Sequence, residues 1–259
     1  MTSRTDPVEL EYTVVGEGDP VVLIMGINAP GAAWEPHVRH WSARFRCIAV
    51  DNRGAGSSPA PEGPYTSSLM ADDYAALIRR LGLGPSRIVG ISLGGAIAQQ
   101  LALRHPDLVH SLVLVASWAR GDAYTEAVLD TIAAVRLAGS DELFGEYLQT
   151  LVWTPSWFGS HAEELAGGRR AALAVGRDAL VAQVAACRSH DALDRLGSLA
   201  VPVLVTAGEH DRFIPHAVSR ALADAIPGSL FVTFEGQGHV HHWEELERFN
   251  QLVSDWLAA

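Results

Sequence analysis

The sequence contains no lysine: all 19 of its basic residues are arginine. Schiff-base chemistry and the phosphate-gripping lysine of a P-loop are thereby excluded. Cysteine is nearly as scarce, with two residues in 259, Cys47 inside an apolar run and Cys187 in a helical stretch. Neither belongs to a ligand-spaced cluster, so a cysteine-based metal centre is excluded and both read as buried core residues. No apolar stretch approaches the ~20 residues that span a bilayer, and the opening MTSRTDP lacks the basic-then-apolar pattern of an export signal. A cytoplasmic, reducing location is expected. Positive charge is also short: 19 basic residues against 30 acidic ones leave a net charge of -11. Such a chain repels phosphate backbones and anionic bilayers, so neither nucleic acid nor membrane is an expected partner. Fixed-period repeats and low-complexity tracts are missing as well.

What is present suits a single large core, with 48% hydrophobic and 19% charged residues. Short β-rich runs bounded by Gly, Pro or Asp occur at Val21–Met25, Cys47–Val50, Arg87–Ile91, Ser111–Val115, Val203–Thr206 and Leu230–Phe234. Helical periodicity marks Trp34–Arg44, Ser67–Leu81, Gly94–Arg104, His216–Ile226 and Trp243–Leu257. Alternation of this kind predicts an α/β protein with a mostly parallel central sheet flanked by helices. The weak alternation of Glu9–Val15 and the turn cluster Gly16–Pro20 predict an antiparallel hairpin leading into VVLIMG. From Trp118 to about Gly197 the strands stop, and helical stretches break at Gly139, Thr154–Pro155 and Gly167–Gly168. The expected organisation is a core of residues 1–117 and 198–259 with an inserted helical cap at 118–197.

Gly90-Ile91-Ser92-Leu93-Gly94 has the form G-x-S-x-G and stands between a strand and a helix. A sharp turn there would strain the serine backbone and lift its hydroxyl above the sheet, while the flanking glycines let the chain pass without clashes. As a nucleophile elbow it would also place the helix start, with its unpaired N–H groups, beside developing negative charge. Read blandly, Ser92 is a helix N-cap between turn glycines. A serine hydroxyl needs a base, and the base an orienting acid. Downstream of Ser92 the candidates are Asp211, in GEHDRFIP after a strand, and His239, in EGQGHVHHW after the last strand; Asp122 is the fallback acid. Asp211 could instead be an ordinary turn aspartate. His239, His241 and His242 also invite a metal reading, but H-E-x-x-H is absent and there is no second ligand cluster. An oxyanion hole would draw on the amides of Leu93 and of Ile27, which follows the strand ending at Met25-Gly26. Asn28 could turn its amide to a substrate or bond its own backbone.

VVLIMG, VDNRGAGSS, GISLGG, GEHDRFIP and GQGHVHHWEELERF follow one another in order and at suitable distances. In these motifs the chain resembles the α/β-hydrolase superfamily over nearly its whole length, and within it the branch of enol-lactonases, esterases and cofactor-free haloperoxidases. The resemblance implies a catalytic triad of Ser92 as nucleophile, His239 as base and Asp211 as its partner, with Ile27 and Leu93 as oxyanion donors. The chain departs from the pattern at Met25, where a histidine usually precedes the glycine. Ile91 is another departure, standing where carbon-carbon bond hydrolases of this fold typically carry Asn and haloperoxidase-like members often carry Phe. Serine rather than aspartate at the nucleophile position argues against haloalkane dehalogenase and epoxide hydrolase chemistry.

In the cap, Trp118, Trp153, Trp157 and Phe158 either line an apolar pocket over Ser92 or pack the cap onto the sheet. Arg120 either grips a substrate carboxylate or is solvated. The expectation is a serine esterase or lactonase that acts on a small-molecule ester or lactone through an acyl-enzyme and uses no cofactor or metal. A carbon-carbon bond or thioester hydrolase with the same triad is the alternative, as is a slow-turnover ligand receptor. Homo-oligomerisation is compatible with all of these.

Overall fold

The computed structural model of the chain describes residues 6–168 and 175–259. Seven strands form one sheet: β1 (Tyr12–Val15), β2 (Pro20–Ile24), β3 (Arg46–Val50), β4 (Ser86–Ile91), β5 (Val109–Val115), β6 (Val203–Gly208) and β7 (Leu230–Phe234). Their spatial order is β1-β3-β2-β4-β5-β6-β7. All neighbours are parallel except β1 with β3, where Tyr12 lies opposite Val50 and Val15 opposite Cys47.

The hairpin expected at Gly16–Pro20 is corrected here. β1 is antiparallel and at the edge, but its partner is β3, because β3 occupies the place between β1 and β2. Gly16 takes φ of 85° and packs against the backbone of Ser42 and Phe45, and Arg46 N–H donates to the Asp19 carbonyl at 3.0 Å. The turn therefore carries the chain past the start of β3 instead of folding β1 onto β2.

Helices are α1 (Glu35–Trp41), α2 (Ser67–Arg80), α3 (Leu93–Arg104), α4 (Ala123–Ala138), α5 (Asp141–Val152), α6 (Pro155–Ser160), α7 (Ala162–Gly168), α8 (Arg177–Arg188), α9 (His216–Asp224), α10 (His241–Glu244) and α11 (Leu246–Ala258). The central strands are apolar throughout because both sheet faces are covered. Val22, Ile24, Ile88, Leu112 and Val205 enter one core with α2, α3 and α9, whereas Val21, Leu23, Val89, Val113 and Leu204 enter the other with α1 and α11. This two-residue alternation between cores is the pleat of the strands.

Helices α4 to α8 all fall between β5 and β6. The breaks expected there have local causes. α4 gives way at Gly139; Ser140 caps α5 by accepting from Leu143 N–H; Thr154 accepts from Trp157 N–H with Pro155 in the first turn of α6. Gly167–Gly168 lies at the edge of the described residues. Among those residues no helix is long and apolar enough to cross a membrane.

Candidate active site

Six parallel strands, β2 to β7, deliver their carboxyl ends to one rim of the sheet, and the chain is strained there. Asn28, Ser92 and Ala116, with φ of 60°, 55° and 47°, are the non-glycine residues of positive φ among the described residues; they follow β2, β4 and β5. An L-residue adopts this region only when its surroundings hold it there. At Ser92 the holding contacts are explicit: its N–H donates to the Val115 carbonyl at 2.8 Å, and its own carbonyl accepts from Gly95 N–H, Ala96 N–H and the Ser117 hydroxyl. Gly90 and Gly94 are required because a Cβ on Gly90 would collide with the Gly94 carbonyl and one on Gly94 with the Ile24 carbonyl. Ser92 Oγ is buried and carries no hydrogen bond among the described residues.

Asp211 and His239 come together across the loops after β6 and β7. His239 Nδ1 stands 2.8 Å from Asp211 Oδ2, and Asp211 Oδ1 accepts from Phe213 N–H at 2.8 Å and Ile214 N–H at 2.9 Å. A carboxylate anchored at both oxygens fixes the imidazole tautomer, with Nδ1 as the N–H and Nε2 as the free base. His239 and Ser92 line the same cavity of about 260 Å³, together with Met25, Gly26, Ile27 and Asn28. Gly26, after β2, passes so close to Ser92 that a Cβ there would lie 3.3 Å from Ser92 Cβ and 3.8 Å from its Oγ. Neither the Ile27 nor the Leu93 amide donates to an acceptor among the described residues. The rim therefore offers an unbonded hydroxyl, an oriented imidazole and two unbonded N–H groups. That set can perform acyl transfer.

Comparisons with known proteins place the fold in a family. Residues 19–246 match the sequence profile of the alpha/beta hydrolase fold. The chain belongs to the α/β-hydrolase family. It is 32% identical over 255 residues, covering 96% of each chain, to a protein of Variovorax paradoxus named as a carbamate hydrolase, RutD. A thermophilic esterase from Thermogutta terrifontis superposes with a TM-score of 0.87 at 30% identity, covering 97% of this chain and 93% of that one. The enol-lactonase from Burkholderia xenovorans LB400 gives 0.90 at 27% identity, covering 96% of each.

Within this α/β-hydrolase, several residues singled out in the sequence take other places. Trp153 lines the cavity beside Ser92, but Trp118 and Trp157 do not. Trp118 is fully buried edge-on against His190, and Trp157 is sandwiched between Trp153 and His161. The carboxylate-gripping use of Arg120 is corrected: its guanidinium pairs with Asp191 at 2.7 Å and Asp194 at 2.8 Å on the exposed surface, away from the cavity. Asp122 caps α4 through Thr125 N–H, and that bond holds its carboxyl below the usual range, so it belongs to the helix and not to His239. His241 hydrogen-bonds Thr206 and is pushed down to about 3 by burial; among the described residues no group of metal-ligating side chains assembles. Both cysteines are buried, with Cys47 pushed up to about 12 and Cys187 raised further by desolvation.

Four side chains that support the rim were not singled out from the sequence. Glu244 accepts from Gly238 N–H at 2.6 Å, just before His239, and from both the N–H and hydroxyl of Thr154 at 2.7 and 2.8 Å. Gln183 of α8 accepts from Asn28 N–H and donates to the Arg53 carbonyl, both at 3.0 Å. Asp51 accepts from Gly31 N–H at 2.7 Å, and Asn52 donates to the Met25 carbonyl at 2.8 Å. For three of them the signal lay in quoted motifs: Asp51 and Asn52 stand in VDNRGAGSS, which buttresses the loop after β2, and Glu244 in GQGHVHHWEELERF, where it clamps the histidine loop; Gln183 stands in none of them.

Proposed function

We propose that the protein is a serine hydrolase of small carboxylic esters or lactones, with Ser92, His239 and Asp211 as its triad. His239 Nε2 takes the proton of Ser92 as Oγ attacks the carbonyl carbon, and the resulting oxyanion is received by the Ile27 and Leu93 amides. Asp211 stabilises the imidazolium that forms and does not itself take the proton. His239 then protonates the departing alcohol; in the second half it deprotonates a water, which releases the acid and regenerates Ser92. No cofactor or metal enters these steps.

The observation that carries the reading is the 2.8 Å His239–Asp211 contact, made across two separate loops and opening on the cavity that holds the unbonded Ser92 hydroxyl. Helices α4 to α8 act as the cap of that cavity, with Leu148, Val152 and Trp153 as its roof. The esterase and enol-lactonase among the similar structures favour ester and lactone substrates. A fluorophosphonate probe followed by peptide mapping tests the assignment: the label is expected on Ser92, and Ser92→Ala is expected to lower kcat on a short ester by about 10⁴-fold or more. Labelling elsewhere, or full activity in Ser92→Ala, would overturn it. The same assay run with a carbamate, a thioester and a vinylogous diketone ranks the other carbonyl substrates against the ester.

A further inference from the structure

The cavity wall contains one histidine that the reaction does not use. His242 is fully buried, and no hydrogen bond reaches either ring nitrogen from a described residue. Its ring is fixed in place by stacking on His37 at 5.3 Å between centroids and by edge contacts with Phe249 and Trp34 at 5.7 and 5.8 Å. Nδ1 is fully buried whereas Nε2 is not, so Nε2 is the polar atom His242 can offer to the cavity it lines. Burial and the neighbouring His37 hold its pKa well below 6.5, which keeps the ring neutral, with one N–H and one lone pair.

The rest of the lining sharpens this. Among the described residues it includes no aspartate, glutamate or arginine, and besides Ser92 and His239 its polar groups are the side chains of Asn28, Gln149 and His242 and the indole N–H groups of Trp153 and Trp243. Gln149 donates to the Leu165 carbonyl at 2.7 Å, its Oε1 and the Trp243 Nε1 have no partner among the described residues but are as deeply buried as His242 Nδ1, and Asn28 is engaged within the protein. A substrate carboxylate would enter this chamber with no cation among the described residues to meet it and would lose its hydration. A hydroxyl or ketone oxygen, by contrast, can bond a neutral imidazole that otherwise stays unbonded in the bound state.

Resting on the proposed ester hydrolysis, we infer that His242 is a specificity residue that hydrogen-bonds a neutral hydroxyl or carbonyl oxygen on the substrate, and that the cavity rejects substrates bearing a second, anionic carboxylate. A site built to bond such a group discriminates against the analogue lacking it far more strongly than an apolar wall discriminates by size.

The test uses methyl butyrate, the hydroxy- and oxo-butyrate methyl esters with the oxygen at each carbon, and monomethyl succinate, with kcat/KM read in a pH-stat. In the wild type, at least one hydroxy or oxo isomer is expected to exceed methyl butyrate by about tenfold or more, and monomethyl succinate to fall below it. His242→Leu is expected to bring the ratio of oxygenated to plain ester near unity, and His242→Gln, which keeps a donor and an acceptor, to restore part of it. A wild-type ratio near unity for every isomer, a ratio unchanged in His242→Leu, or monomethyl succinate turned over as well as methyl butyrate would each overturn the inference. If His242→Leu does not fold, His242→Phe is read in its place. Dissociation constants measured by calorimetry on Ser92→Ala protein, with and without the His242 substitution, report the same ratio without turnover. Failure of the hydrolase reading, seen as an unlabelled Ser92, is thus kept apart from failure of this one.

Discussion

At the scale of the residue, the site depends on backbone conformations that few residue types tolerate. Ser92 holds φ of 55° because Gly90 and Gly94 leave room for the carbonyls that pass beside them. Gly94→Ala would drive its Cβ into the Ile24 carbonyl at the end of β2, the strand that leads to Ile27. Relief requires the backbone to move, at a cost of about 1–3 kcal/mol. The expected result is a lower urea midpoint together with at least a tenfold slower reaction of Ser92 with a fluorophosphonate, compared with about equal rates if the elbow were tolerant. The candidate residues themselves were legible in the sequence, because serine between glycines at a strand-helix junction has few other uses. The roles open to Trp118, Trp157 and Arg120 were not legible. A tryptophan or arginine in a helical insertion has the same local sequence whether it faces the cavity, the core or an aspartate seventy-odd positions away, as Arg120 does with Asp191 and Asp194.

At the scale of the element, the insertion is fastened to three of the loops that carry candidate functional groups, those after β2, β6 and β7. Gln183 joins α8 to the loop of Ile27 and Asn28; Arg212, beside Asp211, donates to the carbonyls of Thr150 and Trp153 at the end of α5; Glu244 joins the start of α6 to the loop of His239. The roof and the candidate rim therefore share hydrogen bonds, not only apolar contact. Glu244→Gln is the cleanest probe. The amide can still accept from Thr154, but its NH2 then confronts the Gly238 N–H, and that buried donor is left without an acceptor, at about 1–3 kcal/mol. The expected outcome is a fall in kcat of roughly tenfold on a short ester with a smaller change in KM, alongside a lower melting temperature; a change in melting temperature alone would mean that the clamp is structural only. The strands and main helices of the core were readable from periodicity, since their apolar runs and glycine or proline boundaries are local features. The partner of β1 was not, because an alternating strand and a turn describe a hairpin equally well whether or not another strand intervenes.

At the scale of the whole molecule, buried histidines tie stability to pH. His37 and His190 are pushed down to about 4 and His241 to about 3, in each case chiefly by desolvation, against 6.5 in the unfolded chain. Between these values the unfolded chain binds protons that the folded one refuses, so the stability these residues contribute is complete above about pH 6.5 and is lost as pH falls toward about 4 for His37 and His190 and about 3 for His241. Melting temperatures are expected to fall steeply across that window. His190 lies away from the cavity, bonded to Ser67 at 2.9 Å and Gln99 at 3.2 Å, and His190→Gln is expected to flatten the slope there whatever it does to the baseline at neutral pH. An unchanged slope would remove His190 from the account. The sequence by itself determined the alternation of strands and helices, the elbow at Ser92 and the chain order of serine, aspartate and histidine, because each is written in a few adjacent residues whose backbone chemistry is local. Only the tertiary structure decided that Glu244 and Gln183 brace the rim, that Arg120 is spent on surface aspartates and that His242 is walled in with no hydrogen bond from a described residue. Those outcomes depend on which distant side chains the sheet brings within 3 Å or so of one another, a distance that no local pattern encodes.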